Sequence, residues 1–170
     1  MRVAFATSTH NFGFRNTVIA FTVKGGPIEV FRDDSTEQRS LYVFFALMIQ
    51  RCPRNERLVL QSSPKPATQV VQNLKQHEAN RFEKKAYRPE LVALNDLSKS
   101  RSVEIVCEPI AGDKMQQLDD HLRLVRTGRL KERPINLAPG DPPENPWGRA
   151  KETFWDWFNR AIRKDQRGER

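Results

Sequence analysis

Nine consecutive residues, Leu41 to Ile49 (LYVFFALMI), carry no polar group beyond the Tyr42 hydroxyl. Asp33-Asp34-Ser35-Thr36-Glu37 stands just before them, and Cys52-Pro53 just after. Asp, Ser and Thr oxygens cap the free N–H groups of a helix start, and acids in the first turn suit the helix dipole. These signals predict a helix from Arg39 to Gln50, closed at Cys52-Pro53. A helix that is apolar nearly all round must be buried on more than one side. It therefore calls for a sheet against one flank and a further helix against another.

The residues before it supply the sheet. Arg2 to Ser8 alternates around Val3 and Phe5, and Thr9 to Gly13 reads as a turn. Asn16 to Val23 is β-branched and apolar, Lys24-Gly25-Gly26-Pro27 is a hairpin signal, and Ile28 to Phe31 is the return strand. Three consecutive antiparallel strands follow from this pattern.

The residues after it, Arg57 to Arg126, read as strand, helix, basic loop, helix, strand, helix. Leu58-Val59-Leu60 is a short strand stopped at Ser62-Ser63-Pro64. Ala67 to Phe82 is a helix with Val70, Val71, Leu74 and Phe82 as its apolar positions. Arg81 to Arg88 is a cationic loop. Leu91, Leu94 and Leu97 mark a second helix, Val103 to Cys107 a strand, and Met115, Leu118, Leu122 and Val125 a third helix.

Beyond Gly128 the composition changes. Pro134, Pro139, Pro142, Pro143 and Pro146 fall close together and exclude regular helix or central strand. The chain thus divides into a domain over 1–129, a proline-rich linker over 130–147, and a C-terminal amphipathic helix over 148–167. In that last segment Phe154, Phe158, Ala161 and Ile162 share a helical face, with Trp155 beside them. A helix this short needs its apolar face covered. It packs back on the domain or docks on a protein partner through Phe154, Trp155, Phe158 and Ile162.

The net charge is +8 over 170 residues, which points to a polyanionic partner. No apolar run reaches the length of a membrane span. The two cysteines, Cys52 and Cys107, are too few and too far apart for a disulfide scaffold or a CxxC site, so an intracellular, reducing setting is the expectation. The three histidines are scattered, which argues against a zinc site.

The order strand-strand-strand-helix-strand-helix-helix-strand-helix resembles the ribonuclease H-like fold over residues 2–127. Gln69 to Leu97 (QVVQNLKQHEANRFEKKAYRPELVALNDL) is similar to the helix pair and basic handle of cellular and retroelement ribonucleases H. Pro89 to Leu97 stands where that family has an N-x-x-L-W-x-x-L-like helix. Met115-Gln116-Gln117-Leu118-Asp119-Asp120-His121-Leu122 resembles its final N-E-x-A-D-x-L-A helix. The resemblance implies an α/β fold, a mixed five-stranded sheet with helices on both faces.

Active members of that family hold two Mg²⁺ ions with four carboxylates, which activate water and stabilise the leaving oxygen of a phosphodiester. Carried onto this chain, the first falls at Thr7, the second at Ser40 or Leu41, the third at Ser63, and only the fourth, Asp119, is an acid. Neutral side chains cannot replace three carboxylates around two divalent ions. The expectation is a pseudo-nuclease with no catalytic set, no metal site and no cofactor. It would act as a nucleic-acid-binding or protein-interaction module. The alternative is a divergent Mg²⁺-dependent nuclease drawing on Asp33, Asp34 and Glu37 with Asp119 or Asp120. The handle implies contacts from Lys75, Arg81, Lys84, Lys85 and Arg88 to the phosphates of RNA, an RNA–DNA hybrid or a DNA duplex, largely without base reading.

Overall fold

The alternating and continuous apolar runs pair as a sheet, and the computed structural model describes residues 1–9, 17–33, 36–63, 68, 70–75 and 88–130. The chain divides into two units, Met1–Ile135 and Asn136–Arg170, and every described residue belongs to the first. The linker over 130–147 is described only at Leu130. The C-terminal helix with Phe154, Trp155, Phe158 and Ile162, the loop positions Arg81, Lys84 and Lys85, and Asp34 lie outside the described residues.

Strands β1 (Arg2–Thr9), β2 (Thr17–Val23) and β3 (Glu29–Asp33) form the antiparallel meander. Strands β4 (Arg57–Ser62) and β5 (Glu104–Pro109) add in parallel on the other side of β1. The sheet is mixed and five-stranded, in the order β3-β2-β1-β4-β5. These are the strand count, mixed directions and α/β layering that the resemblance to ribonuclease H implies. The hairpin between β2 and β3 turns through Lys24 and Gly25, both at positive φ (53° and 76°). That conformation suits glycine at no steric cost and is uncommon for lysine.

Helix α1 (Glu37–Arg51) is capped by Thr36, whose hydroxyl accepts from the Arg39 N–H. Ten consecutive residues, Ser40 to Ile49, are buried, as a helix apolar nearly all round requires. Phe44 meets Phe5, Phe21 and Phe31, whose alternate positions put them on one face of the sheet. Helix α2 (Arg88–Arg101) packs on α1. It begins at Arg88, the residue expected to end the basic loop, because Pro89 in a first helical turn gives up an N–H that has no partner there anyway. Residues 70–75 are also helical, with Val70 and Leu74 buried and the Asn73 amide donating to the Tyr42 hydroxyl at 3.0 Å.

Helix α3 (Gly112–Arg126) covers the opposite face. Its Leu118, Leu122 and Val125 pack on Ala4, Ala6, Val18, Ala20 and Val30. The two faces thus differ in kind: aromatic rings under α1, mostly alanine and valine under α3. Small side chains let α3 lie close to the strands. With both faces covered, six successive residues of β2 are buried and its alternation disappears. Among the described residues no helix is long and apolar enough to cross a membrane.

Candidate functional site

Open α/β sheets place functional groups at the carboxyl ends of their parallel strands. Here β1 and β4 pair in parallel only from Arg2–Val59 to Ala4–Gln61. Past Ala4, β1 continues on β2 alone, so Thr7 and Ser8 stand beyond the end of the β1–β4 ladder.

Thr7, Ser40, Leu41, Ser63 and Asp119, the residues the resemblance sets at carboxylate positions, stand in different surroundings. The Thr7 hydroxyl donates to Glu37 Oε1 at 2.6 Å, joining the end of β1 to the first turn of α1. The Ser40 hydroxyl, fully buried, donates to Asp33 Oδ2 at 2.7 Å. Leu41 is 3% exposed. The Ser63 carbonyl accepts from the Ser62 hydroxyl at 2.9 Å. Asp119 is exposed on α3, one residue past the core residue Leu118. Partial burial, and secondarily the neighbouring Asp120, hold its carboxyl above the usual carboxylate range.

Mg²⁺ requires a near-octahedral shell of oxygens, anchored by carboxylates. Glu37 meets a hydroxyl, Leu41 offers no donor atom, and among the described residues no three His, Cys, Asp or Glu side chains converge. The described residues at these positions do not fit a two-metal centre. Arg126 instead occupies this end of the sheet, donating from its guanidinium to the Ser8 carbonyl and hydroxyl. Burial, and then the nearby Arg32, lower the Arg126 pKa. Local sequence carries no signal for the Thr7–Glu37, Ser40–Asp33 and Ser8–Arg126 pairs, which join separate elements.

Of the handle residues, Lys75 is described with its side chain. It is exposed and lines a cavity of about 840 Å³ together with Leu74, Asn95, Lys99, Ile105 and Cys107. The groove therefore brings Lys75 and Lys99 together beside the edge strand β5. Arg101, two residues beyond Lys99, is committed elsewhere: its Nη2 donates to the Cys52 carbonyl at 3.0 Å. Arg88 opens α2 rather than closing the loop.

Burial pushes the Cys107 thiol up to about 11 from 9.0, with Lys75 pulling weakly the other way. A thiol raised on folding contributes stability that is intact below pH 9 and lost as the pH climbs toward 11. At pH 8 the thiolate is about a hundredfold scarcer than in the unfolded chain, and greater intrinsic nucleophilicity recovers about tenfold of that. Iodoacetamide should therefore alkylate Cys107 roughly tenfold more slowly in the folded chain than in urea, as quantified by mass spectrometry. Equal rates would mean that Cys107 is not held in this environment.

Compared with known proteins, the sequence matches no family model and no curated protein. The mixed five-stranded sheet is consistent with a ribonuclease H-like core.

Proposed function

We propose that this chain is a non-catalytic ribonuclease H-like domain that binds a nucleic-acid duplex through its phosphates. One observation carries the reading. At three of the four positions where the family holds metal with carboxylates, this chain has a hydroxyl already bonded to Glu37, a buried leucine and a serine. What is left of the family's chemistry is its set of basic residues: Lys75, Arg81, Lys84, Lys85 and Arg88 on a chain of net charge +8. Such contacts grip phosphates and read shape, and an A-like duplex or hybrid is the substrate class they suit. The competing assignment, a divergent Mg²⁺-dependent nuclease, has to draw its carboxylates from Asp33, Asp34 and Glu37 with Asp119 or Asp120, and of these Glu37 already accepts from the Thr7 hydroxyl and Asp33 from the Ser40 hydroxyl.

The test is a mobility shift with a labelled RNA–DNA hybrid in the presence of Mg²⁺. The hybrid should be retarded and recovered intact. Lys84→Glu with Lys85→Glu should weaken binding at least tenfold, reduce the slope of log K against log salt by about 2, and leave the melting temperature unchanged. Cleavage by the parent chain would overturn the non-catalytic reading. Undiminished binding by the variant would remove the basic handle from it.

A further inference from the structure

A second basic site lies at the end of the sheet remote from Thr7. Thr22, Ala4 and Gln61 stand in one row across β2, β1 and β4. Side chains in such a row share a face, and the central one is only a methyl group. The recess over Ala4 is a cavity of about 350 Å³, lined among others by Arg2, Thr22, Lys24, Gln61 and Lys114. Arg2 opens β1, Lys24 follows β2, and Lys114 comes from the first turn of α3. The Lys24 N–H donates to the Arg2 carbonyl at 2.8 Å, which holds two of the three cations side by side.

Among the described residues one carboxylate pairs with these cations. Glu108 lies 3.7 Å from the Arg2 guanidinium and accepts from the Gln61 amide at 3.1 Å. Asp113, next to Lys114, is exposed. Lys24 and Lys114 have no ion-pair partner among the described residues. The cavity therefore keeps an excess of positive charge. It also holds an orphan: Thr22 is 6% exposed, and its hydroxyl is closed to solvent with no hydrogen-bond partner. Buried polar atoms are rarely left so.

Both lysines sit where local structure disfavours them. Lys114 places a cation in the first turn of a helix, against the dipole. Lys24 holds a left-handed backbone at φ 53°. Departures from local preference that converge on one cavity mark a functional position.

We propose that this cavity binds a phosphate group, either of a free phosphomonoester or of a nucleic-acid backbone. The two lysines and Arg2 supply charge, the Gln61 amide and a reoriented Thr22 hydroxyl supply hydrogen bonds, and a volume near the lower end for ligand pockets admits a small ester. The site does not depend on the duplex-binding reading above.

The test titrates inorganic phosphate into the full chain and into Lys24→Gln with Lys114→Gln, followed by calorimetry. The parent chain should bind saturably, and the double variant at least tenfold more weakly. Its melting temperature in phosphate-free buffer should be equal or higher, since Lys114→Gln removes a cation from the first turn of α3 while Lys24→Gln leaves the backbone cost at that position as it was. Lys114→Gln alone, on an exposed helix start, should weaken binding at least threefold and guards against misfolding of the double variant. Displacement of phosphate by an RNA–DNA hybrid assigns the site to a nucleic-acid backbone, and displacement by glycerol 3-phosphate alone assigns it to a free ester. No saturable uptake by the parent chain, or equal uptake by the variants, would overturn the proposal.

Discussion

Phe44→Ala should cost about 3–5 kcal/mol, the largest single loss expected from one side chain in this fold. Phe44 is fully buried, and its ring lies 5.1 Å from Phe21, 5.2 Å from Phe5, 5.9 Å from Phe31 and 6.1 Å from Phe45. Its ring pairs with one aromatic ring on each meander strand. Truncation loses its own burial and also strands a cavity among rings fixed on the sheet, where backbone hydrogen bonds limit collapse. Against a typical domain stability of about 5–15 kcal/mol, the variant would be marginal or unfolded at 37 °C. Urea unfolding checks this: the midpoint should fall sharply with the slope unchanged. A loss below about 1 kcal/mol would show that α1 is not seated on the rings as described.

The second large effect lies on the other flank of α1. Arg39 Nε is 3.1 Å from Glu90 Oε1, with the glutamate side chain only 10% exposed and the arginine 41% exposed. Arg39→Met would leave a buried carboxylate without this partner. A fully buried pair broken in this way costs about 3–5 kcal/mol. Because water reaches the arginine side, about 2 kcal/mol is expected here. Arg39→Met with Glu90→Leu should recover most of that loss, since an apolar pair avoids the desolvation of both charges. A double-mutant cycle on urea midpoints measures the coupling. Strict additivity of the two single losses would show that the pair does not join α1 to α2.

Much of the architecture is legible in local sequence. The meander follows from alternation and from a Lys24-Gly25-Gly26-Pro27 turn. Helix α1 follows from Thr36 as a cap and from an apolar run that no one-sided helix could carry. Element ends are less legible. Helix α2 reaches back to Arg88 because Pro89 is tolerated in a first turn, and β5 runs on to Pro109, beyond the apolar stretch that ends at Cys107. Both boundaries depend on neighbours: β5 is extended by its register with β4, where Gln61 and Ser62 meet Glu108 and Pro109.

The candidate sites divide in the same way. That Thr7, Leu41 and Ser63 cannot supply the negative charge of three carboxylates around two Mg²⁺ ions is a matter of side-chain chemistry and needs no coordinates. That the Thr7 hydroxyl is bonded to Glu37, and Ser40 to Asp33, needs the helix set against the strand ends. Lys99 and Arg101 look equivalent in sequence, yet one lines the groove beside β5 while the other donates to the Cys52 carbonyl.

The kinds of element, their order, the excess of positive charge and the neutral side chains of Thr7, Leu41 and Ser63 are all readable without coordinates. These are properties of single residues and of short periodic stretches. Tertiary structure alone decided which cations become neighbours. Arg2, Lys24 and Lys114 are far apart along the chain and meet because β1 pairs Ala4 with Thr22 and Gln61, and because α3 crosses that same face. The parallel β1–β4 register and the seat of α3 join residues distant in sequence with no tight turn between them, so they follow from burying both faces of one sheet.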